Sequence, residues 1–341
     1  NFFLDLLNQS FKDGDLTIKN SKVFFRHTDE EVLLISKIFK IKYYYEPNEL
    51  KNIFYSENEI FNIPFTMESF FSEDKNKFFS LINLNLMKLK IQNQLSLNTE
   101  KQIGKSEIIS NKFKRIVEYK IEKNYFNFHI FDKIDQPDVT YKGKFNFKPF
   151  YANLEGNLYE INLNYLFGTN AIVAELLKTE IFNNKNINFK LNINADNIYK
   201  NSNFKNIKLN SKIQDGLIDT DKTKFEWRDI ADFELLESLI FVKNGELVLD
   251  GKLNIKIKEF NKLYKFLLTP KNYRSQIKQI DLNFTYNFDQ KIAELKDIKI
   301  DNKINNNVNK ILNNVILKKD ELQNRIYFKN LLNEALKSYA G

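Results

Sequence analysis

The chain has 341 residues, of which 43% are hydrophobic and 28% charged, so it can bury a large core or form one elongated sheet, and wholesale disorder is excluded. It contains no cysteine, which excludes disulfides, a thiol nucleophile and Cys-ligated metal sites. The net charge of +8 comes from lysines that are spread along the chain and alternate with apolar residues, and the lack of a dense basic patch argues against a nucleic-acid partner.

Apolar and polar residues alternate from end to end of the sequence, which is typical of strands with one solvated face. The clearest examples are 82–86, 145–147, 189–193, 253–257 and 282–286, which vary one strand pattern without a fixed repeat period. In chain order, this pattern predicts strands over 15–26, 32–45, 59–67, 80–97, 114–121, 125–131, 139–148, 153–164, 187–198, 204–217, 223–228, 233–242, 246–257, 278–288 and 292–301.

Helical periodicity appears only in a few places between and after these strands. It predicts helices over 169–182 and 259–268, and a helical tail over 305–317 and 321–339. Most connections are turn-like, and Lys243-Asn244-Gly245 predicts a hairpin between two alternating runs. We therefore expect a mainly β protein with an antiparallel meander, organised as one continuous β-rich region over 1–303 and a helical C-terminal tail over 304–341.

Residues that could carry chemistry are few. His27 and His129 are the only histidines, and without a metal-ligand pattern around them we interpret both as ordinary strand residues. Asp219 and Asp221 lack the glycine and the distal glutamate of a calcium loop. No phosphate-binding or nucleophile-elbow motif occurs, and Trp227 is interpreted as core. We expect no enzyme activity, no cofactor and no metal site.

The informative feature is the amount of apolar strand face. Either two sheets bury these faces against each other, or a curved sheet leaves a groove that something apolar must fill. The residues alone favour the closed sandwich, because it is the commoner outcome. If the sheet is open, its clean alternations predict lipid-lining residues: Leu84, Leu86, Phe145, Phe147, Leu191, Ile193, Leu253, Ile255, Leu282 and Phe284. Plain core packing is the alternative for each of them.

Two segments of the sequence carry a family resemblance. Residues 15–26, containing Ile18-Lys19-Asn20-Ser21, and the following run 32–38 resemble the strand–turn–strand unit near the start of the AsmA-like family. Residues 216–268, with a Trp-containing strand, the strand 251–257 and a short helix, resemble its C-terminal region. The resemblance covers under a third of the chain and favours the open groove: a long, twisted, largely antiparallel sheet whose helices 169–182 and 259–268 cover sheet edges or a groove end.

What the resemblance implies is a function in the bacterial cell envelope. We expect a non-enzymatic protein on the periplasmic side of the inner membrane, involved in transport of phospholipid or another acyl lipid and in outer-membrane assembly. The chain begins at Asn1 within an apolar stretch, so a membrane anchor is expected upstream. The alternative is a structural or adhesive β-sandwich surface protein that binds protein or glycan partners. The helical tail either docks on the sheet or contacts another protein.

Overall fold

The computed structural model describes residues 15–26, 32–60, 62–97, 102–111, 113–132, 138–147, 150–164, 174, 177–178, 187–214, 217–312, 315–318 and 324–340. Strands make up 67% of the structure and helices 15%. The predicted fold class, a mainly β and largely antiparallel protein with a few helices and a C-terminal helix, is therefore confirmed. The chain forms two compact units, Asn1–Glu155 and Gly156–Gly341.

The first unit is an antiparallel meander in which each strand from β1 to β10 pairs with the next. Its strands are β1 Leu16–Arg26, β2 Val32–Glu46, β3 Lys51–Ile60, β4 Ile63–Phe71, β5 Lys77–Leu84, β6 Leu89–Ser96, β7 Gln102–Ser110, β8 Lys114–Glu122, β9 Tyr125–Phe131 and β10 Val139–Phe147. β11, Phe150–Ile161, contains the boundary between the two units.

The second unit continues with strands and adds helices. Its strands are β12 Asn188–Ile198, β13 Asn201–Gln214, β14 Leu217–Asp219, β15 Lys224–Trp227, β16 Ala231–Lys243, β17 Glu246–Ile257, β18 Gln279–Asn287, β19 Ile292–Ile300, β20 Lys303–Ile304 and β21 Val315–Leu317. Its helices are α1 Phe260–Leu267, α2 Asn306–Leu312 and α3 Arg325–Ala340.

One pairing in the second unit departs from the predicted meander. Asn194 Nδ2 donates to Asn157 Oδ1 at 3.1 Å, and further along the two strands the backbone N–H of Tyr199 donates to the carbonyl of Ile161 at 2.9 Å. Because the residue numbers increase along both strands from the first contact to the second, β11 and β12 run parallel. Parallel neighbours need a long crossover, and residues 163–164 and 177–178 of that crossover are helical.

Several sequence predictions differ from the structure at turns. The predicted strand 59–67 is the hairpin of β3 and β4, and the predicted strand 80–97 is the hairpin of β5 and β6, which turns through the 3-10 segment Asn85–Met87. β7 was not predicted. In the tail, the predicted helix 305–317 ends at Leu312 and is followed by β21, which pairs with β19. The predicted helix 169–182 lies mostly outside the described residues.

Residues with positive φ mark the places where the ladders are interrupted. Glu237 in β16 has φ 47°, beside a register shift between Leu236 and Leu239 against β17. Asp297 in β19, with φ 52°, lies beside a similar shift against β18. Extra residues of this kind bend a strand and increase its twist. We therefore expect extra twist in the ladders of the second unit at these points.

Candidate functional site: the apolar face of the first unit

The strand registers of the first unit place large apolar side chains on one common face of its sheet. Tyr43, Phe54 and Ser69 lie opposite one another on β2, β3 and β4, and the same alternation continues through β10. We call this the apolar face. Its members include Leu16, Ile18, Ile38, Ile41, Tyr43, Phe54, Met67, Phe71, Phe78, Ile82, Leu84, Leu89, Ile91, Leu95, Ile108, Val117, Tyr119, Phe126, Phe128, Ile130, Tyr141 and Phe145.

A row of small polar residues crosses the middle of the apolar face, and alternation alone did not reveal it. Ser69, Ser80, Asn93 and Ser106 are directly opposite one another on β4 to β7, and we call them the polar row. Ser69 is 1% exposed, and Ser80 and Ser106 are 9% exposed. Because taller side chains stand on both sides, these short side chains form the floor of a furrow.

The taller side chains on either side of the polar row are apolar. One flanking row runs through Phe71, Phe78 and Leu95, and the rings of Phe71 and Phe78 are 5.4 Å apart. The other flanking row consists of Met67, Ile82, Ile91 and Ile108. Members of the two rows on one strand are four residues apart, which is about 13 Å along a strand. The furrow thus has apolar walls and a polar floor.

Most of the polar atoms in the floor are satisfied by hydrogen bonds to one another. Asn93 Oδ1 accepts from Ser106 Oγ at 2.7 Å and from the Tyr119 hydroxyl at 2.5 Å, and Asn93 Nδ2 donates to Ser80 Oγ at 3.3 Å. Burial raises the pKa of the Tyr119 phenol, so this hydroxyl stays protonated and can donate at neutral pH. Ser69 Oγ is buried and has no hydrogen-bond partner among the described residues. The floor is therefore largely a fixed network.

Aromatic rings line the same face at its β8–β10 end. Phe145 stacks on Phe128 at 5.4 Å, and Phe126 lies 5.2 Å from Tyr119 and 6.1 Å from Phe145. Phe128 also covers Gly143, where an added Cβ would approach its ring to 2.2 Å. Rings that fold over a neighbouring glycine lie flat on the sheet, so this end of the face is broad and aromatic.

Most of the apolar face remains partly exposed. The described strands β1 to β10 form one continuous ladder, and no separate second sheet is found among the described residues of the first unit. Full burial is concentrated around Ile38, Ile41, Tyr43 and Phe54 on β2 and β3. A closed sandwich needs a second sheet at this place, and the described residues of the first unit do not provide one.

Two of the four predicted lining residues in the first unit lie on the apolar face. Leu84 pairs with Leu89, and Phe145 pairs with Phe126. The strand position predicted for Leu86 was wrong: this residue lies in the 3-10 turn and is 72% exposed, because the chain reverses where the sequence alternation continues. Phe147 is in β10, but its side chain lies outside the described residues.

All six predicted lining residues in the second unit share one face of its sheet. Leu253 pairs with Leu282, and Ile193 pairs with Leu209. Ile255 and Leu282 pack against the core formed by α1, α2 and α3. For these two residues, the contacts agree with plain core packing, the alternative to lipid lining. Leu191, Leu253 and Phe284 are half-buried, whereas Ile193 is 5% exposed. Part of this face is therefore closed by helices.

The helices of the second unit cover its sheet at two places. Leu263, Tyr264 and Leu267 of α1 are buried in one core with Ala335 and Leu336 of α3. The helical tail therefore docks on its own unit. A separate core joins Ala174 and Leu177 to Ile213, Ile218, Ile240 and Leu247. Trp227 is half-buried and meets Phe266 of α1 edge-on at 4.8 Å.

The aspartates at 219 and 221 have a structural use. β14 and β15 form one interrupted strand between β13 and β16. In the interruption, Asp221 Oδ1 accepts from the backbone N–H of Ser238 at 2.6 Å and Asp219 Oδ1 accepts from that of Asp221 at 2.7 Å. The Asp221 carboxylate thus takes the place of a ladder carbonyl, and the Asp219 carboxylate forms a local Asx turn. In the described part of the chain, no three His, Asp or Glu side chains converge as a metal site would need.

The opposite face of the first unit carries a second furrow, which the sequence reading missed. It has a volume of about 810 Å³ and crosses β6 to β11. Two cross-strand rows line it, one through Gln94, Lys105, Glu118, His129 and Lys142, the other through Ser96, Ile103, Lys120, Asn127 and Lys144, with Asn153 and Glu155 at the β11 end. We call it the charged furrow. No local motif could have shown it, because each strand contributes only two or three residues.

Comparisons with protein-family models, with curated proteins and with solved structures found no match to this chain. The resemblance to the AsmA-like family therefore stays a prediction. In the described residues, no helix is both long and apolar enough to cross a membrane.

Proposed function

We propose that this chain is a non-enzymatic lipid-binding protein, which holds acyl chains of phospholipid or a similar lipid on the apolar face of its first unit. The observation that carries the proposal is the partial exposure of that face. Ile82, Ile91 and Ile108 form a continuous apolar wall, and each of these side chains is partly exposed. Exposed apolar surface of this extent is typical of a binding site.

The energetics support an acyl ligand. Each methylene removed from water contributes about 0.8 kcal/mol, so a dozen carbons against the walls supply several kcal/mol after the chain has been ordered. The polar row beneath is satisfied largely within the protein, through Asn93, and so demands little from the ligand. An acyl chain without hydrogen-bonding groups fits walls of isoleucine and phenylalanine.

The cellular role in this proposal rests on the AsmA-like resemblance. The protein would act on the periplasmic side of the inner membrane, held by an anchor upstream of Asn1, in lipid transport and outer-membrane assembly. The paired strands β1 and β2 and the order of β15, β16, β17 and α1 are consistent with the two segments that carry the resemblance.

Native mass spectrometry of the purified chain tests the proposal. We expect adducts with phospholipid masses and saturable binding of a fluorescent fatty acid such as cis-parinaric acid, displaced by unlabelled phospholipid but not by glycerophosphocholine. Glycerophosphocholine is the matched control, because it carries the head group without the acyl chains. Neither adducts nor probe binding from a folded preparation would refute acyl binding.

A further inference from the structure

The charged furrow lies on the face of the first unit opposite the apolar face, so its use does not depend on the proposed lipid binding. Its lining contains four lysines and two glutamates. Cavities of about 300–1,000 Å³ with a few converging polar groups are the usual size of small-ligand sites, and this furrow falls in that range.

Three of the lysines surround one short segment of β9. Lys142 lies directly opposite His129, whereas Lys144 and Lys120 lie on the two sides of Asn127. Directly opposed residues have Cβ atoms about 5 Å apart, so three flexible ammonium groups can converge over Asn127 and His129. A group with several acceptor oxygens and a double negative charge matches this arrangement.

The surrounding contacts hold two of these ammonium groups near the furrow. Lys120 Nζ is 2.9 Å from Glu122 Oε1, and Lys144 Nζ lies 4.1 Å from the centre of the Tyr125 ring. Both contacts are on the surface and are worth little individually, so an entering anion can replace them.

Two buried polar atoms in the lining provide an independent observation. His129 Nε2 and Asn153 Oδ1 are shielded from solvent and have no hydrogen-bond partner among the described residues. Leaving such an atom without a partner is unfavourable, so each favours a ligand that brings a polar group. Asn153 Oδ1 can accept a hydrogen bond from a hydroxyl group, and so can the carboxylates of Glu118 and Glu155.

We propose that the charged furrow binds a phosphorylated sugar, with the phosphate at Lys120, Lys142 and Lys144 and the sugar hydroxyls toward Glu118, Asn153 and Glu155. The sugar phosphate comes either as a free molecule or as the head group of a lipid. In both cases the recognised chemistry is a phosphate monoester next to several hydroxyl groups.

Calorimetric titration of the full chain tests this site with two probes. Glucose 6-phosphate represents the free source, with glucose as its control. Phosphatidylcholine vesicles containing phosphatidylinositol 4-phosphate represent the lipid source, with pure phosphatidylcholine vesicles as their control. Binding of glucose 6-phosphate alone supports a free ligand, and binding only to the phosphoinositide vesicles supports a lipid head group. Binding to neither probe overturns the proposal.

A pair of double variants separates the site from general electrostatics. Lys142→Gln/Lys144→Gln removes two charges from the furrow, and Lys22→Gln/Lys90→Gln removes two exposed charges from the same face outside it. We expect the furrow variant to weaken binding about tenfold or more and the control variant to weaken it less than about twofold. Equal loss in both variants contradicts a specific site. Nuclear magnetic resonance of the His129 ring, identified by its loss in His129→Asn, should show a shift that saturates with the same affinity.

Discussion

The ring of Tyr119 on β8 lies over Gly104 on β7. A Cβ added at Gly104 would come within 2.0 Å of Tyr119 Cζ and 2.3 Å of its hydroxyl oxygen. The missing side chain lets Tyr119 reach across β7 to Asn93 on β6, where its hydroxyl donates at 2.5 Å. The absence of a side chain at Gly104 therefore allows a hydrogen bond between the aromatic end of the apolar face and the polar row.

Gly104→Ala should destabilise the protein by about 1–3 kcal/mol, because the methyl group displaces the Tyr119 ring and breaks its hydrogen bond to Asn93. Urea unfolding measures the effect. In a Tyr119→Ala background the same substitution should cost much less, since the clash is gone. A full cost in that background would mean that the ring does not occupy the space above Gly104.

The lipid proposal predicts opposite outcomes for two adjacent isoleucines of β7. Ile108 lies on the apolar face opposite Ile91, whereas Ile109 points to the other face between Lys90 and Lys114. Ile108→Glu should weaken fatty-acid binding about tenfold or more, because it places a charge in the acyl path. Ile109→Glu should leave binding within about twofold.

Circular dichroism and thermal unfolding of both isoleucine variants serve as the folding control. If Ile108→Glu folds and still binds the fatty-acid probe as well as the wild type, the acyl chain does not lie on this wall.

How much could be predicted from sequence depends on whether the signal was local. Asn244 and Gly245 both have positive φ, as a two-residue type I′ turn requires, and the hairpin predicted from them joins β16 to β17. Residues 85–88 turn without glycine or proline, and the apolar–polar alternation of β5 continues through Leu86 before it breaks at Met87, so Leu86 was assigned to a strand.

The remaining features depend on register between strands far apart in sequence. Ser80, Asn93 and Ser106 look like ordinary polar positions until pairing places them in one row. The charged furrow is equally invisible, because its lining alternates along each strand like any solvated face. The parallel contact between β11 and β12 was not predicted, although a helix was predicted over 169–182 in the crossover, because periodicity within a segment does not show which strands pair.

Phe266→Ala should loosen the helical core of the second unit. Phe266 meets Trp227 edge-on, and Lys329 Nζ of α3 lies 4.0 Å from the centre of its ring, so the residue connects both helices to β15. Removing a half-buried phenylalanine costs about 2–3 kcal/mol. Because Trp227 is the only tryptophan, its emission should shift to the red as water reaches it.

Leu268→Ala is the control for this variant, since Leu268 follows the same helix but is 76% exposed. It should change neither the emission nor the unfolding midpoint by a measurable amount. Unchanged emission in Phe266→Ala would mean that Trp227 is shielded by other residues.

Asp289 makes the stability of the second unit depend on acid pH. Partial burial by itself raises the pKa of Asp289, but hydrogen bonds from Lys178 Nζ at 2.5 Å and from the Leu247 backbone N–H at 2.8 Å outweigh it and hold the pKa below its usual range. A carboxylate whose pKa is lowered by folding stabilises the protein above its unfolded pKa of about 3.9. That stabilisation is lost as the pH falls through the lowered pKa of the folded state.

Asp289→Asn should therefore reduce the free energy of unfolding by about 1 kcal/mol at pH 7, and its difference from the wild type should shrink below about pH 4. Urea unfolding between pH 2.5 and 7 measures this dependence. Asp196→Asn, at an exposed position of β12, should track the wild type throughout. The pairing also joins residue 178 of the crossover to the turn between β18 and β19, so Lys178→Met should reproduce much of the loss at pH 7. An Asp289→Asn difference that stays constant down to pH 2.5 would show that Lys178 and Leu247 do not stabilise the ionised carboxylate.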